Sequence, residues 1–162
     1  MNVLFPVEDL HALPAFVEPE WLEVECCLDT GSSIHAADRI DFPGFDVTES
    51  DGSRAGQKFQ AAGGSLIENE GQVSALMTAP GSPIGTELQF CFQIAKVTRP
   101  LISVTKMTEK GELQILCKKD EALVLDSKNR TVAKFARKGG LYVAVMKVRN
   151  PRFSHFPRPA TR

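Results

Sequence analysis

The sequence has few of the residues that mark metalloproteins, nucleic-acid-binding proteins and membrane proteins. Its 162 residues include only three histidines and four cysteines, without C-x-x-C spacing, and carry a formal net charge of -1. These scattered histidines and cysteines predict no metal site and no other cofactor. A charge near zero gives no electrostatic reason to expect nucleic acid or a membrane surface as a partner. Since no apolar run approaches the roughly 20 residues that span a bilayer, we expect no membrane segment.

The first residues also lack the features of a secretory leader, because MNVLFPVEDLHALP has no basic start and carries two acidic side chains. The adjacent Cys26 and Cys27 would point to opposite faces of any strand. We predict that these two, together with Cys91 and Cys117, are reduced core residues of a cytoplasmic protein.

The apolar residues that are present follow the period of β-strands. In TELQFCFQIAKV, Leu88, Phe90, Phe92 and Ile94 alternate with residues of the opposite face, and WLEVECCL has a similar pattern. Turn-rich clusters such as DFPGF and APGSPIG separate such runs, and only LISVTKMTEKG has helical spacing. The sequence therefore predicts a mainly β fold, either a barrel or a sandwich, with one short helix.

Further elements follow from turn residues. Asp51-Gly52 predicts a hairpin turn, and KFQAAGGSLIENEG predicts two short strands on either side of Gly63-Gly64. Towards the C-terminus, LQILCK, EALVLDSKNRTVAKF and GLYVAVMKV predict three or four more strands.

One acid, Asp29, stands at the end of an apolar strand and precedes Thr30, Gly31 and Ser32. A carboxylate in that position is costly to bury unless its charge is used. Two carboxylates within about 3 Å share one proton, so that one can activate water while the other protonates a carbonyl oxygen. Such a pair needs a tight turn, which Gly31 permits, and donors to its outer oxygens, which we expect from the Gly31 amide and the Ser32 hydroxyl. The pattern predicts peptide hydrolysis by acid–base catalysis.

The same loop is compatible with two different roles. In the first, Asp29 only accepts hydrogen bonds from backbone amides of a structural turn. In the second, His35 and either Ser32 or Ser33 form part of a serine hydrolase, although the sequence has no G-x-S-x-G elbow.

The stretch LDTGSSIHAAD resembles the active-site loop of retropepsins, the aspartic proteases of retroviruses and retrotransposons. DFPGF, FQAAGGSLIENEG and FQIAKVTRPLISVTKMTEKG resemble, in the same order, the turn after that loop, the flap, and the last core strand with its short helix. LQIL, residues 113–116, falls where the family has its terminal dimer strand. The resemblance implies a retropepsin-like closed β-barrel with a glycine-tipped flap hairpin and one short helix, plus a C-terminal β-hairpin extension.

The resemblance also implies a role for eight residues: Asp29 as the catalytic acid, Thr30, Gly31 and Ser32 as the active-site loop, and Ala62, Gly63, Gly64 and Ser65 as the substrate-binding flap. The sequence has a single D-T-G loop of this kind. The second carboxylate must then come from an identical chain across a two-fold axis, so we expect a homodimer. An extended peptide or polyprotein substrate would lie between the two loops and the flaps.

The chain departs from the retropepsin pattern in two places. Where the family has an apolar pair followed by glycine, this sequence has Leu101-Ile102-Ser103, and we expect the side chain of Ser103 to crowd the catalytic loop. The flap also lacks an aromatic residue near its tip. These departures favour an alternative function, a catalytically weak or inactive retropepsin-like module for dimerisation or peptide binding.

Four regions are predicted along the chain: an N-terminal arm (1–19), a retropepsin-like protease domain (20–118), a C-terminal β extension (119–148), and a disordered, basic, proline-rich tail (149–162). The segment DEALVLDSKNRTVAKFARKGGLYVAVMKV resembles the region after the protease in copia-like retroelements. It implies (self-)processing of a retroelement polyprotein. Three arrangements of the extension remain open: it extends the barrel, shields an edge strand, or replaces the usual dimer sheet.

Overall fold

A computed structural model describes residues 19–153. The predicted arm up to residue 18 and residues 154–162 of the predicted tail lie outside the described residues. The described residues are mainly β, with 47% strand and 10% helix, and they contain a closed six-stranded barrel. The predicted mainly β fold is therefore confirmed, and the barrel is favoured over the sandwich.

The described residues form eleven strands, two short α-helices and one short 3-10 helix, Arg39–Asp41. The strands are β1 (Trp21–Asp29), β2 (His35–Ala37), β3 (Lys58–Gln60), β4 (Leu66–Glu68), β5 (Gly71–Thr78), β6 (Leu88–Ile94), β7 (Leu101–Ser103), β8 (Gln114–Cys117), β9 (Glu121–Leu125), β10 (Thr131–Lys138) and β11 (Leu141–Arg149). The α-helices are α1 (Asp51–Arg54) and α2 (Val104–Thr108).

Six of these strands close the barrel in the order β1, β7, β2, β6, β5 and β11, which pairs again with β1. Two pairs are parallel, β1 with β7 and β2 with β6, and the other four are antiparallel. Because β7 lies between β1 and β2, the segment that joins β1 to β2 crosses the end of β7. This crossing positions the candidate site.

The predicted alternation of β6 places its apolar face in the core. Phe90, Phe92 and Ile94 are buried. The ring of Phe92 contacts that of Phe42, with ring centroids 5.0 Å apart. Met146 of β11 is fully buried in the same core. Residues from both ends of the described chain thus share one hydrophobic core.

The predicted boundary between residues 118 and 119 does not coincide with a structural break. Strand β11 pairs with β1 at seven positions, from Trp21 opposite Arg149 to Cys27 opposite Val143. From β11 the sheet continues outward through β10 and β9 to β8, which ends the strand order. Of the three arrangements considered, the extension therefore adds to the barrel, and it does so by supplying a barrel strand.

The predicted hairpin turn at Asp51-Gly52 is wrong, because these residues begin helix α1. Ser50 caps the helix: its Oγ accepts from the Ser53 N–H at 3.0 Å, and the Ser53 Oγ accepts from the Ser50 N–H at 2.8 Å. This reciprocal capping satisfies the first amides and stabilises a helical turn over a β-turn. The helix predicted within LISVTKMTEKG is present as α2, with Met107 buried.

The prediction that all four cysteines are core residues is wrong for two of them. All four thiols are free, but only Cys26 and Cys27 are buried, whereas Cys91 and Cys117 are exposed. Cys91 lies on the polar face of β6, and Cys117 lies on the outermost strand β8. Within residues 19–153 no helix has the length and apolar character needed to cross a membrane.

Candidate functional site

The candidate site is the loop that begins at Asp29, the last residue of β1, and ends before β2. Strand β7 runs parallel to β1, and Asp29 is paired with Ser103 at the ends of the two strands. Helix α2 starts immediately after Ser103. The loop and the start of α2 therefore lie side by side, because parallel strands bring their carboxyl ends to the same edge.

The Asp29 carboxylate is held by the turn that follows it. The Gly31 N–H donates to Asp29 Oδ1 at 2.7 Å, as the sequence predicted. A Cβ atom on residue 31 would lie 3.3 Å from the same oxygen, so a larger residue would press on the carboxylate. Asp29 is half-buried, while Thr30 and Gly31 are exposed. Aspartate side chains make the same hydrogen bond, to the backbone two residues ahead, in structural turns.

Ser32 does not bind the carboxylate as predicted. Its Oγ donates to the Ile34 carbonyl oxygen at 2.6 Å and accepts from the Ile34 N–H at 3.4 Å. The side chain turns along its own loop because a serine hydroxyl readily bonds to the backbone two residues ahead. The Ser32 hydroxyl thus makes its hydrogen bonds to Ile34, whereas Nδ1 of His35 accepts from Ser103.

Ser103 does not crowd the loop as expected. Its side chain is fully buried, and its Oγ donates to the Ser32 carbonyl oxygen at 2.5 Å. The same Oγ accepts from the Lys106 N–H at 3.1 Å and so caps α2. At the position where a clash was predicted, the Ser103 hydroxyl makes two hydrogen bonds, one of which holds the loop. No local pattern in the sequence indicates a contact between residues 71 positions apart.

His35, the first residue of β2, is buried and contacts Ser103 from the other side. Its Nδ1 accepts from the Ser103 main-chain N–H at 3.0 Å, and its ring meets that of Phe90 edge to face at 5.2 Å. The pKa of His35 is lowered to about 4, chiefly by burial and also by the charge of Lys106, while Glu109 acts in the opposite direction. The ring is therefore neutral at pH 7, as it must be for Nδ1 to accept a hydrogen bond.

The pKa of His35 predicts that the protein loses stability in mild acid. An unfolded histidine binds a proton near its ordinary pKa of 6.5, whereas His35 in the fold does so only near pH 4. Between these values the unfolded state binds more protons, so the free energy of unfolding falls as pH falls, by about 3 kcal/mol in total. Urea unfolding at pH 7, 5.5 and 4.5 measures this loss.

His35→Asn is the matched variant for that measurement, because asparagine offers an acceptor oxygen without titrating. Carboxylates elsewhere titrate in both proteins, so their contribution cancels when the two are compared. The wild type alone loses the contribution of His35, and the difference in unfolding free energy between the two proteins should therefore shrink as pH falls from 6.5 to 4. A difference that stays constant over this range would contradict the assignment to His35.

Asp29 and Thr30 line an open pocket with a volume of about 550 Å³. Most of its remaining wall is apolar and comes from β1, β7, α2 and β11: Leu28, Leu101, Val104, Leu141 and Tyr142. Arg99, Thr98, Cys27, Cys117 and Gly140 complete the lining. A carboxylate at the edge of an apolar pocket is a common arrangement for binding and for acid–base chemistry.

Strands β3 and β4 form a hairpin whose tip contains Gly63 and Gly64. The pairing is antiparallel, with Phe59 opposite Ile67, and Gly64 has a φ of 86° that favours glycine. Ala62, Gly63, Gly64 and Ser65 are exposed. None of these four residues lines the pocket beside Asp29, so the described chain does not bring the predicted flap and the predicted acid together.

Within residues 19–153, no three His, Cys, Asp or Glu side chains cluster in a way that would hold a metal ion. The chain matches no protein-family model, no curated protein and no solved structure.

Proposed function

We propose that this protein is an aspartic endopeptidase of the retropepsin type, which acts as a homodimer. Asp29 of each chain supplies one of two carboxylates, and a proton is shared between them. The unprotonated member takes a proton from water, which attacks the scissile carbonyl carbon, while the protonated member donates to the carbonyl oxygen. The resulting diol then returns its proton to the carboxylate pair as the C–N bond breaks, and the other carboxyl proton passes to the leaving amine, so that the shared proton is restored. No covalent intermediate is needed.

The observation that carries the proposal is the position of Asp29 in the fold. It ends a barrel strand, accepts the Gly31 N–H at 2.7 Å and lines an apolar pocket. A carboxylate with one oxygen held by a backbone amide keeps a fixed orientation. Such preorganisation is what a shared-proton pair requires, since both acids have to meet within hydrogen-bond distance.

The substrate we propose is an extended peptide of a retroelement polyprotein, bound between the two chains. Apolar side chains of the pocket, among them Leu101 and Leu141, suit an apolar residue next to the scissile bond. The glycine-tipped β3–β4 hairpin would pair with the peptide backbone as an added strand. Thr30 would donate across the two-fold axis and brace the two loops.

Two measurements test this proposal together. Light scattering on the purified protein should give about twice the chain mass of 17.7 kDa. At mildly acid pH the protein should cleave a denatured protein substrate, and a statine-containing peptide should inhibit it, because statine mimics the tetrahedral transition state. Cleavage that resists statine would contradict an aspartic mechanism, and a monomer that cleaves would contradict the shared pair.

The alternative, a non-catalytic dimerisation or peptide-binding module, has a different outcome in the same assays. The protein would have twice the chain mass and would bind the statine peptide, but it would leave the denatured substrate intact at every pH tested. The departures at Ser103 and at the hairpin tip suggested this function. The hydrogen bonds of Ser103 argue against the non-catalytic alternative, because that side chain holds the loop in place and does not displace it.

A further inference from the structure

Ser103 links the loop that carries Asp29 to the end of β7 and the start of α2. The Ser103 hydroxyl is fully buried and uses both of its hydrogen-bonding roles, donating to the Ser32 carbonyl at 2.5 Å and accepting from the Lys106 N–H at 3.1 Å. A buried hydroxyl with both roles satisfied has a fixed rotamer. The carbonyl of the loop is thereby linked to the first turn of α2.

The main chain of Ser103 is fixed at the same time. His35 accepts the Ser103 N–H at 3.0 Å, and Ser103 is paired in parallel register with Asp29. His35 follows the loop in sequence, and Asp29 precedes it. One residue therefore contacts the loop at its start, at Ser32 near its middle and just beyond its end.

These contacts of Ser103 matter because few other hydrogen bonds hold the loop. Thr30, Gly31 and Ser33 are exposed, and the amide that holds the Asp29 carboxylate belongs to Gly31, next to Ser32 in the chain. If the Ser32 carbonyl is released, the peptide groups that precede it gain freedom. The Gly31 N–H lies two peptide groups earlier, and its direction is then fixed less firmly. Small losses of orientation at a catalytic acid have large effects on rate.

We propose that Ser103 is a positioning residue for Asp29: its hydroxyl holds the Ser32 carbonyl, and the neutral ring of His35 holds Ser103 in turn. The inference rests on the proposed function for its effect on catalysis. It adds a role for the serine that replaces the glycine implied by the retropepsin resemblance.

The test compares Ser103→Ala and Ser103→Gly with Thr108→Val. Thr108 also lies on α2, and its hydroxyl donates to the Val104 carbonyl at 2.9 Å without contacting the loop, so this variant controls for the loss of one hydroxyl from the same helix. Both Ser103 variants should lower kcat roughly tenfold, with KM within about twofold of the wild type. Thr108→Val should keep the wild-type kcat. If Ser103→Ala does not fold, Ser103→Gly alone provides the comparison, because glycine is well tolerated at a helix N-cap.

A second measurement does not depend on cleavage. Amide hydrogen exchange at Gly31, followed by NMR, should become about fivefold faster in the Ser103 variants and stay unchanged in Thr108→Val. Equal exchange in all variants would overturn the inference whether or not the protein cleaves peptides. Faster exchange with an unchanged kcat would also overturn it. If the wild type does not cleave at all, the proposed function fails separately, and the exchange rates still decide whether Ser103 orders the loop.

Discussion

Replacing Asp29 with asparagine is expected to abolish peptide cleavage and to leave the folded dimer intact. Asparagine has the same shape, and its Oδ1 can still accept the Gly31 N–H that Asp29 accepts at 2.7 Å. It cannot take a proton from water or share one with a partner chain. Loss of a general acid–base group costs about a hundredfold to ten-thousandfold, so we expect a loss of at least about a thousandfold when both members of the pair are removed.

Asp126→Asn is the matched control for this variant. Asp126 also sits in a turn and accepts backbone amides, from Lys128 and Arg130, both at 2.9 Å, but it does not line the pocket beside Asp29. The control should cleave at the wild-type rate. Persistent cleavage by pure Asp29→Asn protein would rule out the mechanism, provided that circular dichroism and light scattering show the variant to be folded and dimeric.

Mixing the two proteins tests the symmetry directly. Excess Asp29→Asn chain added to wild-type chain should form mixed dimers, which have only one Asp29 carboxylate at the two-fold axis. Cleavage should therefore be suppressed. The Asp126→Asn chain, added in the same excess, should not suppress it. Activity that is unaffected by the excess of inactive chain would show that one Asp29 is sufficient and would contradict a shared pair.

Ending the chain at residue 118, the boundary predicted from the sequence, is expected to prevent folding. The truncated chain lacks β11, which supplies seven residue pairs to β1 and also pairs with β5. Val143, Met146 and Val148 of that strand are buried, and each contributes about 2 kcal/mol by its removal from water. The sum approaches the whole stability of a typical domain, and the barrel would be left with two open edges.

Circular dichroism and the dispersion of amide signals in an NMR spectrum measure this outcome. A chain ending at residue 153 is the control, since it keeps every described strand and should give the spectrum of a β protein. A dispersed spectrum from residues 1–118 would contradict the expectation and would restore the predicted domain boundary.

Local patterns were sufficient for much of the fold. The period of two predicted strand β6, in which Phe90, Phe92 and Ile94 are buried, and Gly63-Gly64 lies between the antiparallel strands β3 and β4. These features depend on residues within a few positions of one another. The exposure of Cys91 could have been inferred in the same way, because it alternates with the buried residues of β6.

The remaining features depend on residues far apart in the chain. The pairing of β11 with β1 joins segments more than 100 positions apart, and alternation in each strand does not indicate which partner it takes. The contact between Ser103 and Ser32 spans 71 positions, and that between Ser103 and His35 spans 68. The wrong prediction of a hairpin turn at Asp51-Gly52 has a local cause. Reciprocal capping by Ser50 and Ser53 stabilises a helix there, although Asp-Gly is common in hairpin turns.

The closing strand of the barrel has a consequence for when the protein matures. During synthesis from the N-terminus, β1 leaves the ribosome long before its partner β11 exists, and the two meet only when residues 141–149 have emerged. Contacts of such long sequence separation form late and slowly. The barrel should therefore close only after residues 141–149 have been synthesised, and the exposed edges of β1 and β5 stay unpaired until then.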